Sequence, residues 1–281
     1  MTARNPLDDP LHGRMFEAGS SESTQHNKLK FFESRLLVEA TSAAGRQASG
    51  AARKHLHRGF VIRHLMMQTS RVRIRDATLN RRNPLDPFLA TELSVYLNGY
   101  YLNLRGALDN LAWAATYHYA LIDNVDEATS KCRRFCTLES RDFVEALATH
   151  RPGIVNLLDE VTSCMDEVKR FRDPAAHRLP LTLVSAILST DEQEMLIDLR
   201  SRAVTALQAG DMNAWGSLKG EEQRVGVFAP ILAEPRGPDG ELINAPLQIA
   251  SDQYVFLGFG LRFIDECFGR ELTPLALPTA T

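Results

Sequence analysis

An arginine and a histidine five residues apart, Arg172 and His177, pair the two side chains that can cleave a phosphodiester without a metal ion. An imidazole is the one side chain that, unperturbed, both accepts and donates a proton near neutral pH. A guanidinium keeps its charge, and its fork of donors matches a phosphate or the developing charge on a pentacoordinate phosphorus. Asp173, directly after the arginine, is placed to orient either group. Spacing alone does not single the pair out. With 26 arginines and 8 histidines, about two pairs separated by five to seven residues are expected by chance. The chain has Arg58–His64, Arg170–His177 and Arg172–His177. What distinguishes Arg172–His177 is its context: an acid after the arginine, small residues before the histidine, and a place at the end of a helix with an apolar face.

That helix opens at Pro152 and carries Ile154, Leu157, Leu158, Val161, Met165 and Val168 on one face. Arg172 continues the series, so it is expected on the buried side. In an unbroken helix, residues five apart lie ~140° apart around the axis and ~7.5 Å along it, which would aim His177 elsewhere. Pro174 removes a helix hydrogen bond and disfavours helical geometry at Asp173. Either a break at Pro174 swings His177 back, or each residue meets its counterparts from a second subunit.

The strongest helical pattern precedes this one. Asp86 and Pro87 suit an N-cap and a first turn. From there to about Leu121, the residues Leu93, Leu97, Tyr100, Leu104, Leu108, Leu111 and Ala115 recur as a bundle seam, flanked by Tyr96, Tyr101 and Trp113. A helix is expected from about Gln25, with a break near Gly45–Gly50 or at Gly59. Another is expected over Val61–Leu79, where the alternation Arg71-Val72-Arg73-Ile74-Arg75 also suits a strand. A short helix near Ser140–Thr149 follows a charged loop. After Pro180 come an apolar run, a helix from Thr190 to about Leu207, and two stretches, Val225–Glu234 and Leu242–Ile249. These flank the turn signal Pro235-Arg236-Gly237-Pro238-Asp239-Gly240 and read as an edge-like β-hairpin. A last helix is expected to be capped by Asp252. The fold class is therefore mainly α: a bundle of about four long helices, with a short-helix and hairpin segment at about 181–251 inserted before the last. Residues 1–24 form a polar lead-in and 25–281 a single domain.

The net charge of −3 conceals an asymmetry. Gly45–Asn83 holds nine arginines and one lysine against a single acid, Asp76. Such a stripe suits phosphate chains, a solvated helix face, or docking on the acidic remainder. Met1–Ser21 has Arg4 and Arg14 but no apolar core, so no secretory signal is expected, and no segment suits a membrane span. Cys132, Cys136, Cys164 and Cys267 lack metal-ligand spacing and read as reduced thiols of a cytoplasmic protein with no metal or cofactor.

Arg172-Asp173-Pro174-Ala175-Ala176-His177 resembles the signature of HEPN domains, an arginine, then Asn, His or Asp, a few residues, then histidine. The continuation His177-Arg178-Leu179-Pro180-Leu181 and the segment Leu104-Arg105-Gly106-Ala107-Leu108-Asp109-Asn110-Leu111 are similar to forms seen in bacterial HEPN-like proteins. The resemblance covers these two helices, the outer helices by pattern only, and 181–251 not at all. It implies a helical bundle, a homodimer, and a metal-independent endoribonuclease of defence or toxin–antitoxin type, with a cognate antitoxin or regulatory protein as a further partner. By position it makes Arg172 and His177 the catalytic pair and Asp173 the polar helper. Asp109 is a candidate supporting carboxylate, its alternative role being a pair with Arg105 four residues earlier. Arg63, Arg71, Arg73, Arg75, Arg81, Arg82 and Arg178 are the candidates for holding RNA. The rival reading is a non-catalytic helical module that binds a protein or nucleotide partner.

Overall fold

The computed structural model describes residues 22–177, 179–233 and 243–269, and the side chains of all of these except residues 22–25, 161–164, 167, 177 and 233. The described chain is mainly helical. In order it forms α1 (Glu22–Arg46), α2 (Gly50–Lys54), a π-helical turn (His55–Val61), α3 (Ile62–Thr78), α4 (Pro87–Tyr119), α5 (Ser130–Phe135), α6 (Arg141–Ala148) and α7 (Ile154–His177). There follow β1 (Thr182–Leu183), α8 (Thr190–Gln208), α9 (Met212–Glu222), β2 (Ile231–Ala233), β3 (Ile243–Asn244) and α10 (Ala245–Phe268). Two compact units divide the chain. The first draws on residues up to Leu65, Asn103–Lys169 and the residues from Asp252; the second on Met66–Leu102 and Arg170–Ser251. Their boundaries fall inside α3, α4, α7 and α10. Most of the expected lead-in, residues 1–21, lies outside the described residues.

Local chemistry sets most helix ends. Asp86 Oδ1 accepts from the backbone N–H groups of Phe88 and Leu89, each at 3.0 Å, and so starts α4 with Pro87 in its first turn. The seam from Leu93 to Ala115 is buried throughout, and Tyr101 joins it while Tyr96 and Trp113 stay at the rim. α4 ends with Ala120 at φ 50°, and the Leu121 N–H donates to the Thr116 carbonyl at 3.1 Å, closing a Schellman turn. The stretch 71–75 is helical, because Ile74 and the 62–78 period, rather than the alternation, meet the core.

In the first unit, Gly260 of α10 lets Leu36 of α1 come within 3.3 Å of where a Cβ would stand. Phe60, His64 and Phe256 stack beside it. In the second, Asn98 mimics a strand edge: its Oδ1 accepts from Leu181 N–H and its Nδ2 donates to Leu181 O, both at 2.9 Å. α8 and α9 form a hairpin around Leu199, Ala203, Leu218 and Val225.

Three expectations change. The hairpin β2–β3 is present, with Leu232 opposite Ile243, but β2 is central because β1 pairs on its other side. The turn residues 234–242 lie outside the described residues. Pro246 belongs to the first turn of α10, where a missing N–H costs nothing, rather than to a strand. Asp252 is buried in mid-helix; Asn244, accepting from Leu247 N–H at 3.1 Å, stands at the true start. α8 starts at Thr190, as expected, and is opened by a capping box of Ser189 and Glu192.

Candidate functional site

α7 runs through Pro174 to His177 without a break. The backbone positions of Arg172 and His177 therefore keep the ~140° separation of a continuous helix, and one chain does not bring them together by a kink. Phe171, rather than Arg172, continues the buried series after Met165 and Val168. It is fully buried and stacks on Tyr101 with ring centroids 4.8 Å apart. An aromatic ring gains more from that slot than a guanidinium, whose charge would lose its water. Arg172 consequently sits at the surface of the unit, its side chain 34% exposed, and its Nη1 donates to Asp173 Oδ1 at 2.9 Å. Pro174 is buried, and Arg170 lies over the Phe171 ring at 5.5 Å. Downstream, the pair of hydrogen bonds between Asn98 and the Leu181 backbone fixes the chain there. The His177 side chain and Arg178 lie outside the described residues.

The basic stretch turns out to be largely occupied. Arg71 is 4% exposed, which places its guanidinium out of reach of a strand in solvent. Arg63 lies along Gly106, where a Cβ would stand 2.5 Å from its Cζ, and donates to Asn103 Oδ1 at 3.2 Å. Arg75 pairs with Asp76 at 3.0 Å. Arg81 donates to the carbonyls of Asn83 and Pro84. Arg73 and Arg82 are exposed. The first of the three Arg–His spacings, Arg58–His64, is structural: His64 is fully buried and donates from Nε2 to the Glu33 carbonyl at 3.2 Å.

Asp109 pairs with Arg105 within α4, at 3.1 Å. Arg105 also reaches Glu139 at 3.0 Å, and Lys169 of α7 meets the same oxygen at 3.0 Å. Burial works against the Arg105 charge, but Asp109 and Glu139 outweigh it and hold the group above its ordinary value.

No family model, curated protein or solved structure matches the chain. The geometry itself must therefore carry the functional argument.

A second constellation, in the first unit, was not legible from spacing. His55, in the π-helical turn, is 7% exposed. Its Nδ1 meets Asn110 Oδ1 at 2.9 Å and its Nε2 meets Glu127 Oε1 at 3.2 Å. Its ring stacks with those of Trp113 and Tyr117, each at 5.6 Å between centroids. Lys54 Nζ and the Tyr117 hydroxyl also donate to Glu127, at 3.3 Å each. Burial and the nearby carboxylate push the Tyr117 phenol up to about 12. Both imidazole nitrogens are engaged, so the ring has none left for a substrate. Gly59 is the one sequence signal that pointed here: a Cβ on it would lie 1.9 Å from Asn110 Oδ1, so its task is to admit that amide rather than to break the helix. Among the described residues, no group of His, Cys, Asp and Glu is arranged to hold a metal, and no helix is long and apolar enough to cross a membrane.

Proposed function

We propose that this chain is a HEPN-like RNA-binding protein and a metal-independent endoribonuclease, working as a homodimer in a defence or toxin–antitoxin setting. One observation carries the reading: at the end of a core helix, Arg172 is turned out of the core and held by its neighbour Asp173 at 2.9 Å. A guanidinium at a helix end carries a planar fork of donors, which suits the equatorial oxygens of a phosphorane. In this mechanism His177 takes the proton of a ribose 2′-OH as that oxygen attacks the adjacent phosphorus, or gives a proton to the departing 5′ oxygen. The products are a 2′,3′-cyclic phosphate and a free 5′-hydroxyl. The angular separation on α7 is the reason for drawing the active pair from two subunits across a two-fold axis, each helix end meeting its symmetry mate. Arg73 and Arg82, both exposed, are the first candidates to hold the strand.

Incubation of purified wild type and His177→Ala with RNA in EDTA tests the assignment. Cleavage by wild type ending in cyclic phosphate, and none by the variant, is the expected result. Equal cleavage by both removes His177 from the mechanism.

The second reading, a non-catalytic module that binds a protein or nucleotide partner, draws on the same helix. Within a single chain Arg172 is satisfied by Asp173 and diverges from His177, which is also what a structural ion pair at a helix end looks like. It requires that no turnover be seen with any RNA.

A further inference from the structure

In the first unit, the ends of three helices meet at Tyr119. α4 ends on it, with His118 in the same last turn. α6 closes where the Leu147 carbonyl accepts from His150 N–H at 3.0 Å and from Arg151 N–H at 2.9 Å. The Arg151 carbonyl then accepts from Ile154 N–H at 3.0 Å as α7 begins, so residues 150 and 151 stand on a tied turn. α10 brings its last carbonyls to the same place. The Tyr119 hydroxyl donates to Cys267 O at 2.6 Å, and Arg46 Nη2 donates to Phe268 O at 2.9 Å.

The side chains on these ends gather around one phenol. The His150 ring stacks on that of Tyr119 with centroids 5.0 Å apart, and the His118 ring meets it edge-on at 4.5 Å. Arg151 Nε donates to the phenol oxygen at 2.8 Å. A guanidinium and two imidazoles thus share one neighbour, and nothing within the described residues balances them. Cations do collect at helix C-termini to offset open carbonyls, but the two nearest carbonyls of α10 are already taken by Tyr119 and Arg46. Glu266 is the acid whose field reaches Arg151, yet it lies against Gly153, where a Cβ would stand 2.9 Å from its Oε1. Among the described residues Arg151 makes no ion pair, and its terminal nitrogens and both imidazoles have no hydrogen-bond partner. His118 and His150 are exposed.

Independently of the HEPN-like reading, we propose that His118, His150 and Arg151 form a binding site for a phosphate group, either free or as a phosphomonoester. With Nε spent on Tyr119, the guanidinium keeps its charge and the donors of its two terminal nitrogens. Each imidazole adds an N–H in either tautomer. A planar carboxylate is filled by a guanidinium fork alone, whereas a tetrahedral anion has further oxygens for the two rings. A metal cation is a poor occupant, because the guanidinium charge repels it. Burial first, and then the Arg151 charge, hold His118 below its ordinary value, the direction that a neighbouring anion reverses.

NMR of the full chain, following the His118 and His150 rings at constant ionic strength, tests the site with inorganic phosphate, adenosine monophosphate, adenosine and acetate. Saturable shifts are expected with phosphate and with the nucleotide, and none with adenosine or acetate. Equal affinity for the first two assigns the site to the phosphate group alone, and tighter binding of the nucleotide assigns it to a phosphomonoester. Arg151→Gln is expected to weaken binding about tenfold. His150→Ala, at an exposed position that carries no hydrogen bond of the fold, weakens it about threefold and keeps the test open if Arg151→Gln unsettles Tyr119. No saturation with phosphate or nucleotide, acetate bound as tightly as phosphate, or wild-type affinity in His150→Ala overturns the proposal.

Discussion

At the scale of the single residue, the site turns on which side chain takes the core position at the end of α7. Phe171 takes it, and Arg172 is displaced to the surface, where Asp173 orients it. Replacing Arg172 with lysine keeps the charge but loses the planar fork. On the cleavage reading, Arg172→Lys lowers the single-turnover rate on RNA by about a hundredfold while leaving the thermal unfolding midpoint in place. A variant that cleaves as wild type does would reduce Arg172 to its pairing with Asp173. Several arginines of the 45–83 stretch likewise hold the protein together: Arg46, Arg53, Arg63 and Arg81 each donate to a nearby carbonyl or amide.

At the scale of the element, the helix ends carry both order and strain. α4 finishes with Ala120 in the left-handed region at φ 50°, a conformation that costs an L-residue with a Cβ about 1 kcal/mol. Ala120→Gly relieves it without touching the Schellman bond from Leu121 to Thr116. The expected gain is about 0.5–1 kcal/mol, read as a rise in the midpoint of chemical denaturation at unchanged slope. A loss of stability would mean that the Ala120 methyl packs usefully or that the unfolded chain pays more for glycine. Gly59 shows the opposite logic, since there the missing Cβ is filled by Asn110 and a substitution at that site meets the amide head on.

At the scale of the whole molecule, the separation of Arg172 and His177 on one helix decides what the assembly must be if the pair is catalytic. Each chain of 31.4 kDa then lacks a complete site, and a two-fold dimer supplies two. Arg172→Ala and His177→Ala homodimers, each inactive alone, are expected to regain about a quarter of wild-type cleavage when unfolded and refolded together, because half the dimers are mixed and each mixed dimer rebuilds one site of two. Sedimentation of the mixture checks that dimers formed. No recovery from a verified mixed dimer would place both residues of a working site in one chain, or outside the mechanism.

The heptad-like seam of α4, the Asp86 cap, the face of α7 and the helices flanking 181–251 were all legible in the sequence. Apolar periodicity and capping chemistry act over a few residues and need no knowledge of what lies across the core. The motif at Arg172–His177 was legible as a set of residue types for the same reason. What the tertiary structure alone decided was occupancy. Local period placed Arg172 on the buried face, and Tyr101, a partner 70 positions away, took the Phe171 ring there instead. The third strand, the burial of Arg71 and Asp252, and the meeting of His55, Asn110 and Glu127 likewise depend on contacts between distant segments, where spacing along the chain carries no record of distance in space.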